Sequence, residues 1–270
     1  MTALSAFFMD AAWPAGARKS VHVCGAPNLS AMVQATAEDF MADHPGIAVV
    51  VDASFTYRGF KGVIDGSADM GMTATSLPRE LKKLADDRGV ALVRTVIAID
   101  GVAVVVHPDN PVRDLSISQL RSIYTGHCGD WRALGGARRA IVPLSQPPYV
   151  SSFEGFTTNV MGEAVFTPKA TVITSRPIVA RVATDPAAIG YVSSNYVTDK
   201  VRTLAVNGIA ASAENLRSGT YPLRRELAVV MRKDGSELAT RLLEYVLRPD
   251  KGQRHAARSG AVALHGEAGK

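Results

Sequence analysis

Apolar and polar positions along this chain switch between two periods. Residues 20–24 read as a short strand. From 30 to 43 the apolar positions Val33, Ala37, Phe40 and Met41 fall on one face, which predicts an amphipathic helix. "HPGIAVVVDAS" is a Pro-Gly turn feeding a buried strand at 47–51. A short helix is expected over 58–66, then a strand through "ADMGMTA". "PRELKKLADDRG" predicts a charged helix closed by Gly89. "VALVRTVIAIDGVAVVVHPDNPV" is a long β-rich run ended by a turn cluster. "SISQLRSIYTG" predicts a helix with Leu120 and Ile123 inward, and "RAIVPLSQ" and "AAIGYVSS" predict strands. Ser236 is placed to cap a last helix, with Leu238, Leu242, Tyr245 and Val246 on one face and Pro249 as its stop.

Strands alternating with helices predict an α/β fold with largely parallel sheets. The chain has 270 residues, 47% of them hydrophobic, enough for a sizeable core and for two lobes. It shows no repeat and no low-complexity linker. A division into lobes must therefore pass through strands, and the run at 92–107 is the candidate crossing strand.

Composition then narrows the chemistry. The net charge is +5, carried by scattered Lys and Arg rather than one block. No basic helix interleaved with aromatics points to nucleic acid. A mild positive excess favours an anionic solute. The two cysteines, Cys24 and Cys128, lack metal-type spacing, and the six histidines form no ligand pattern, so no metal or cofactor is expected. No stretch is apolar and long enough to cross a membrane. The apolar N-terminus lacks the positive start of a secretion signal, and Asp10 interrupts it. Trp131 and Tyr124 read as core, and Asp100 as a tie on the crossing strand. The chain has no Gly-x-Ser-x-Gly elbow, no paired zinc ligands and no P-loop, and no base is visible beside Ser151 and Ser152. Catalysis is not expected.

One stretch does suggest a site. In "CGAPNLSAMVQATAEDF", residues 24–40, the strand breaks at Gly25 and Pro27 and runs straight into a helix N-terminus, a common way to build an anion site. Five further segments follow it: "ASFTYRGFKGVIDGSADMGMTATSLP", "AIDGVAVVVHPDNPVRDLSISQLRSIYTGHCGDWRALGG", "SQPPYVSSFEGF", "DPAAIGYV" and "GTYPLRRELAVVM". In this order the six segments resemble the phosphate-binding solute-receptor family of bacterial ABC transporters, from about residue 20 to 265. The resemblance implies a type II periplasmic-binding-protein fold, in which each lobe is a mainly parallel sheet flanked by helices. It places lobe I at 20–98 and 200–270, lobe II at 99–199, and an N-terminal extension at 1–19. It implies a monomeric, periplasmic, non-enzymatic receptor that closes on a small-molecule ligand and presents it to a membrane transporter permease or a sensor protein.

The segments depart from the family pattern where the ligand should sit. Asn28 and Leu29 replace hydroxyl or small residues, and Thr56, Tyr57 and Arg58 replace a Gly/Ser run. The turn Thr73, Ala74, Thr75 lacks the charged side chain found in phosphate receptors. Gln146 stands where an anion-pairing Arg belongs, and Tyr149, Val150, Ser151 and Ser152 replace Ser-Gly-Thr. These thirteen residues are the expected ligand-binding set. Without the Arg and the acid, the expectation leans to a non-phosphate, organic or less polar ligand. The alternatives are phosphate or another oxyanion held mainly by backbone N–H groups, and a ligand-sensing role for a signalling partner.

Overall fold

In the computed structural model the described residues are 19–264. β1 (Lys19–Gly25) leads into α1 (Ser30–Asp43), β2 (Ile47–Ala53), α2 (Thr56–Asp65), β3 (Met70–Thr73) and α3 (Arg79–Asp87). β4 (Leu92–Val106) is followed by β5 (Asp114–Leu115), α4 (Ile117–Thr125), β6 (Val142–Ser145) and α5 (Ser151–Phe156). Then come β7 (Thr171–Val172), α6 (Ser175–Val182), β8 (Ala188–Ser193), β9 (Arg202–Thr203) and β10 (Ala205–Val206). α7 (Ala213–Ser218), β11 (Arg224–Arg232), α8 (Glu237–Leu247) and α9 (Gly252–Arg258) complete the described chain. Of the expected N-terminal extension, residues 1–18 lie outside the described residues.

One curled sheet runs through the molecule in the order β2-β1-β3-β11-β4-β8-β6-β7, with β9 also paired to β4. At one end β1 pairs in parallel with β2 and β3. At the other, β6 pairs in parallel with β7 and β8. The antiparallel strands β4 and β11 lie between. β4 pairs with β11 from Leu92 to Gly101 and with β8 from Val102 to Val106, so this one strand crosses from lobe to lobe. Every residue of β4 from Ile97 to Val106 is buried, the unbroken apolar run expected of a strand covered on both faces. The pairing with β11 slips at Leu227/Ala228, which leaves Ile97 as a bulge. Its carbonyl accepts from Gln253 Nε2 at 2.9 Å, so the bulge buries no orphan acceptor.

Two large cores lie on either side of the crossing. The first packs α1, α8 and α9 against β1 and β3, with Val23, Phe40, Met70 and Leu242 at its centre. The second gathers Trp131, Tyr124, Phe156 and Tyr191. Leu204, Val206, Leu216, Tyr221 and Leu223 pack in this second core. β9 pairs with the distal end of β4, and β10 pairs with β5. The chain therefore returns to the first core only with β11, at Arg224 rather than near 200. Residues 200–223 carry too few apolar positions in register to advertise a sheet of their own, and tertiary packing decides where they go.

Candidate functional site

The cleft begins where β1 ends. Gly25 takes φ 127°, and a Cβ there would sit 2.3 Å from the Met72 carbonyl oxygen. A Cβ on Gly59 of α2 would sit 2.7 Å from that same oxygen. Only glycine lets the turn, β3 and α2 approach this closely. The approach brings the start of α1 beside the start of α2. Residues 27–29 form a 3₁₀ turn that runs directly into α1.

Four helical runs point their N-termini at this cleft. They begin at Pro27 and Thr56 in the first lobe, and at Ser151 and Ser175 in the second. None has a side-chain cap. Away from the cleft the pattern is mixed: Ser116, Ser212 and Ser236 cap α4, α7 and α8, while α3 and α9 have no side-chain cap. An uncapped first turn leaves backbone N–H groups without intrahelical partners and carries the positive end of the helix dipole. The cleft thus collects four such N-termini around one space.

Between these termini lies a cavity of about 400 Å³, lined by Asn28, Phe55, Tyr149, Val150, Ser151, Ser152, Arg176, Ser193 and Tyr196 among others. Asn28 is only 8% exposed, yet both its amide oxygen and its amide nitrogen lack a hydrogen-bond partner. A buried amide in that state calls for a polar partner in the cavity. Arg176, in the first turn of α6, lines the same cavity and forms no ion pair among the described residues. At the mouth, the Phe55 and Tyr149 rings meet edge-on across the cleft, with centroids 5.2 Å apart.

The floor is rigid. Phe156 stacks on Tyr191 at 3.9 Å. The Tyr191 hydroxyl pairs with Ser145 Oγ at 2.8 Å and accepts from the Gln146 N–H at 3.3 Å. Burial pushes the Tyr191 phenol up to about 12. Gln146 donates from Nε2 to the Tyr191 carbonyl at 2.6 Å, and its Oε1 accepts from Ser152 Oγ at 2.7 Å. Behind Ser151, Arg225 donates to its Oγ at 3.2 Å. Arg225 also pairs with Asp100, and Asp100 Oδ2 accepts from Ser193 Oγ at 2.8 Å. This buried network sits where β4 and β11 cross between the lobes. Glu154 of α5 approaches the Thr75–Ser76 turn of the other lobe. Burial pushes its carboxyl up, while Thr75, Ser76 and Arg225 pull it down more weakly.

The expected site residues divide. Asn28, Tyr149, Val150, Ser151 and Ser152 line the cavity. Leu29 is fully buried in the first core, and Ala74 is buried there too. Thr73 is buried and its hydroxyl donates to the Thr75 carbonyl at 3.0 Å, while the Thr75 hydroxyl turns to the Ser76 carbonyl. Thr56 is half-buried, and Tyr57 and Arg58 are exposed. None of these three lines the cavity, where Phe55, one residue earlier, does. Gln146 lies in the floor with its amide engaged. Phe55, Arg176, Ser193 and Tyr196 were not expected. For Arg176 a signal existed: Thr174 in cap position, Pro177 in the first turn, and Ile178, Val179 and Val182 on one face of a helix. Cys24 and Cys128 are free thiols, and no cluster of three potential metal ligands occurs among the described residues.

Two α/β lobes joined by crossing strands, with helix N-termini facing a shared cleft, define a two-lobe solute-binding receptor of the periplasmic type. The PBP superfamily domain matches residues 11–250, and the chain belongs to that superfamily. It is 29% identical over 232 residues to the phosphate-binding protein PstS of Bacillus subtilis, across 86% of this chain and 76% of that protein. PstS 2 of Streptococcus agalactiae serotype V is 36% identical over 114 residues, 42% of this chain and 37% of that protein. A substrate-binding protein from Clostridium perfringens, solved with bound phosphate, superposes with a TM-score of 0.80 at 27% identity. The match covers 92% of this chain and 100% of that one. An ABC-type phosphate transport receptor from Vibrio cholerae shares the fold, with a TM-score of 0.77 at 22% identity over 90% of this chain and 99% of that one.

Proposed function

We propose that this chain is a receptor for an oxyanion of the phosphate class, working outside the cytoplasm and delivering its ligand to a membrane transporter. The observation that carries the reading is the buried, unpartnered amide of Asn28 in a cleft faced by four uncapped helix N-termini. Donors without partners on both sides of one cavity suit a solute with several acceptor oxygens. Arg176 supplies a cation beside them. The lean towards a less polar ligand assumed that the anion grips were lost with Gln146 and the neutral turn at 73–75. Arg176 and Asn28 offer a grip from other positions, and relatives named as phosphate-binding proteins lend the less polar ligand no support. Those same names favour binding without turnover.

The test is calorimetric titration of the purified protein with inorganic phosphate and, separately, with sulfate. Saturable one-to-one binding of phosphate, stronger than that of sulfate, is expected. Heats indistinguishable from dilution for both anions would sink the reading.

A further inference from the structure

The cleft does not end at the first cavity. Past Pro27, Asn28, Arg176 and Tyr196, which line both spaces, it opens into a second chamber of about 810 Å³. This chamber runs between the start of α1, the outer side of α6 and the turn at 198–200. An inorganic anion leaves that room unused, since the first cavity alone falls in the roughly 300–1,000 Å³ range of organic-ligand sites. The walls of the second chamber are mixed. Ala31, Val179 and Ala180 give apolar surface, and Thr184 and Thr198 give hydroxyls. Lys200 adds a cation that forms no ion pair among the described residues, and Asp199 adds one acid. Asn195 also lines the chamber, and its amide oxygen is buried without a hydrogen-bond partner.

Two buried amide oxygens without partners therefore mark one continuous space, that of Asn28 at the junction and that of half-buried Asn195 beyond it. The geometry points to a phosphate monoester of a short hydroxylated carbon chain as the ligand. Its phosphoryl group sits in the first cavity against Asn28 and Arg176, and its tail lies in the second chamber against Asn195 and Lys200. An ester keeps three terminal oxygens, sharing up to two negative charges, for the donors of the first cavity. Its bridging oxygen needs no donor and faces the opening between the chambers. A tail hydroxyl donates to Asn195 Oδ1 and accepts from Lys200, while its carbons cover Val179 and Ala180. This inference rests on the oxyanion reading above and narrows it.

The experiment titrates inorganic phosphate and glycerol 3-phosphate into the wild-type protein and into Ala180→Trp. Ala180 is exposed on α6, so the indole fills the second chamber from the surface without disturbing a core. The ester should bind wild type at least as tightly as phosphate does. Ala180→Trp should weaken the ester by about tenfold or more and change phosphate by less than about twofold. Preserved phosphate binding also reports that the variant is folded. The inference is overturned if wild type binds phosphate but takes the ester roughly a hundredfold more weakly, or if Ala180→Trp weakens both ligands alike. If neither ligand binds wild type, the oxyanion reading fails first and this inference falls with it.

Discussion

If Asn28 grips the ligand as proposed, stability and binding pull in opposite directions there. Burying an amide without partners costs about 1–3 kcal/mol, and a hydrogen bond to a charged group returns about 1.5–3 kcal/mol. Asn28→Leu should therefore raise the urea midpoint of the ligand-free protein while weakening phosphate binding by roughly ten- to a hundredfold. Unchanged phosphate affinity in this variant would remove Asn28 from the site. Glu154 gives a second prediction, through pH. Burial raises its carboxyl above the unfolded value, so between the two values the folded protein holds more protons than the unfolded chain. Its favourable contribution is present below the ordinary glutamate range and is lost as pH rises through the raised value. The stability difference between wild type and Glu154→Gln should shift towards the variant from about pH 4 upwards. A difference that stays constant with pH would show that Glu154 is not buried against the opposite lobe. Single side chains were the least legible part of the sequence. Leu29 and Asn28 are adjacent, yet one enters the core and the other the cavity, because the 3₁₀ turn at 27–29 rotates neighbours to different sides. Nothing in the local pattern fixes that rotation. The contact of Gly25 with Met72 and Gly59 does.

At the scale of elements, the crossing of β4 and β11 is the point of greatest leverage. Asp100 and Arg225 are both almost fully buried, and they join the crossing strands to Ser193 of β8 and Ser151 of α5. Removing one partner strands a buried charge, so Asp100→Leu or Arg225→Met alone should cost about 3–5 kcal/mol in urea unfolding. The double variant should recover a large part of that loss. Strictly additive losses would mean that the two residues do not act as a pair. The crossing strand itself was legible, because a run buried on both faces has no period-two gaps and announces its length. α1, α4 and α8 were legible too, through amphipathic spacing and, for α8, the Ser236 cap, which accepts from Ala239 N–H at 3.1 Å. α6 escaped notice because it spans only eight residues and Pro177 breaks the visual pattern. Arg176, the cavity-lining cation on which the proposed oxyanion reading draws, sits on this helix. The cavity-lining Arg176 therefore sits outside the six family-like segments, while Gln146, at the family position of an Arg, is part of the floor.

At the scale of the whole molecule, two cores are tied together by few covalent crossings, and the cleft between them is where added free energy can act. On the proposed reading a ligand is held by Asn28 and α1 on one side and by Arg176 and α5 on the other; it would then link the lobes and stabilise the folded chain alone. Phosphate at a hundred times its dissociation constant should add about 2.7 kcal/mol. At roughly 2–4 °C per kcal/mol for a chain above 150 residues, the midpoint of thermal unfolding should rise by about 5–10 °C. The net charge of +5 raises a competing explanation, because any added anion screens repulsion among the excess cations. The two effects separate by their concentration dependence. Screening by chloride at equal ionic strength grows gradually with salt and has no stoichiometry. Site binding continues with the logarithm of ligand concentration above the dissociation constant measured by calorimetry, and at a fixed phosphate concentration its shift should fall to about half or less in Asn28→Leu, although that variant is the more stable without ligand. Equal shifts from phosphate and chloride, or an undiminished phosphate shift in Asn28→Leu, would mean that the anion acts on the surface at large rather than between the lobes.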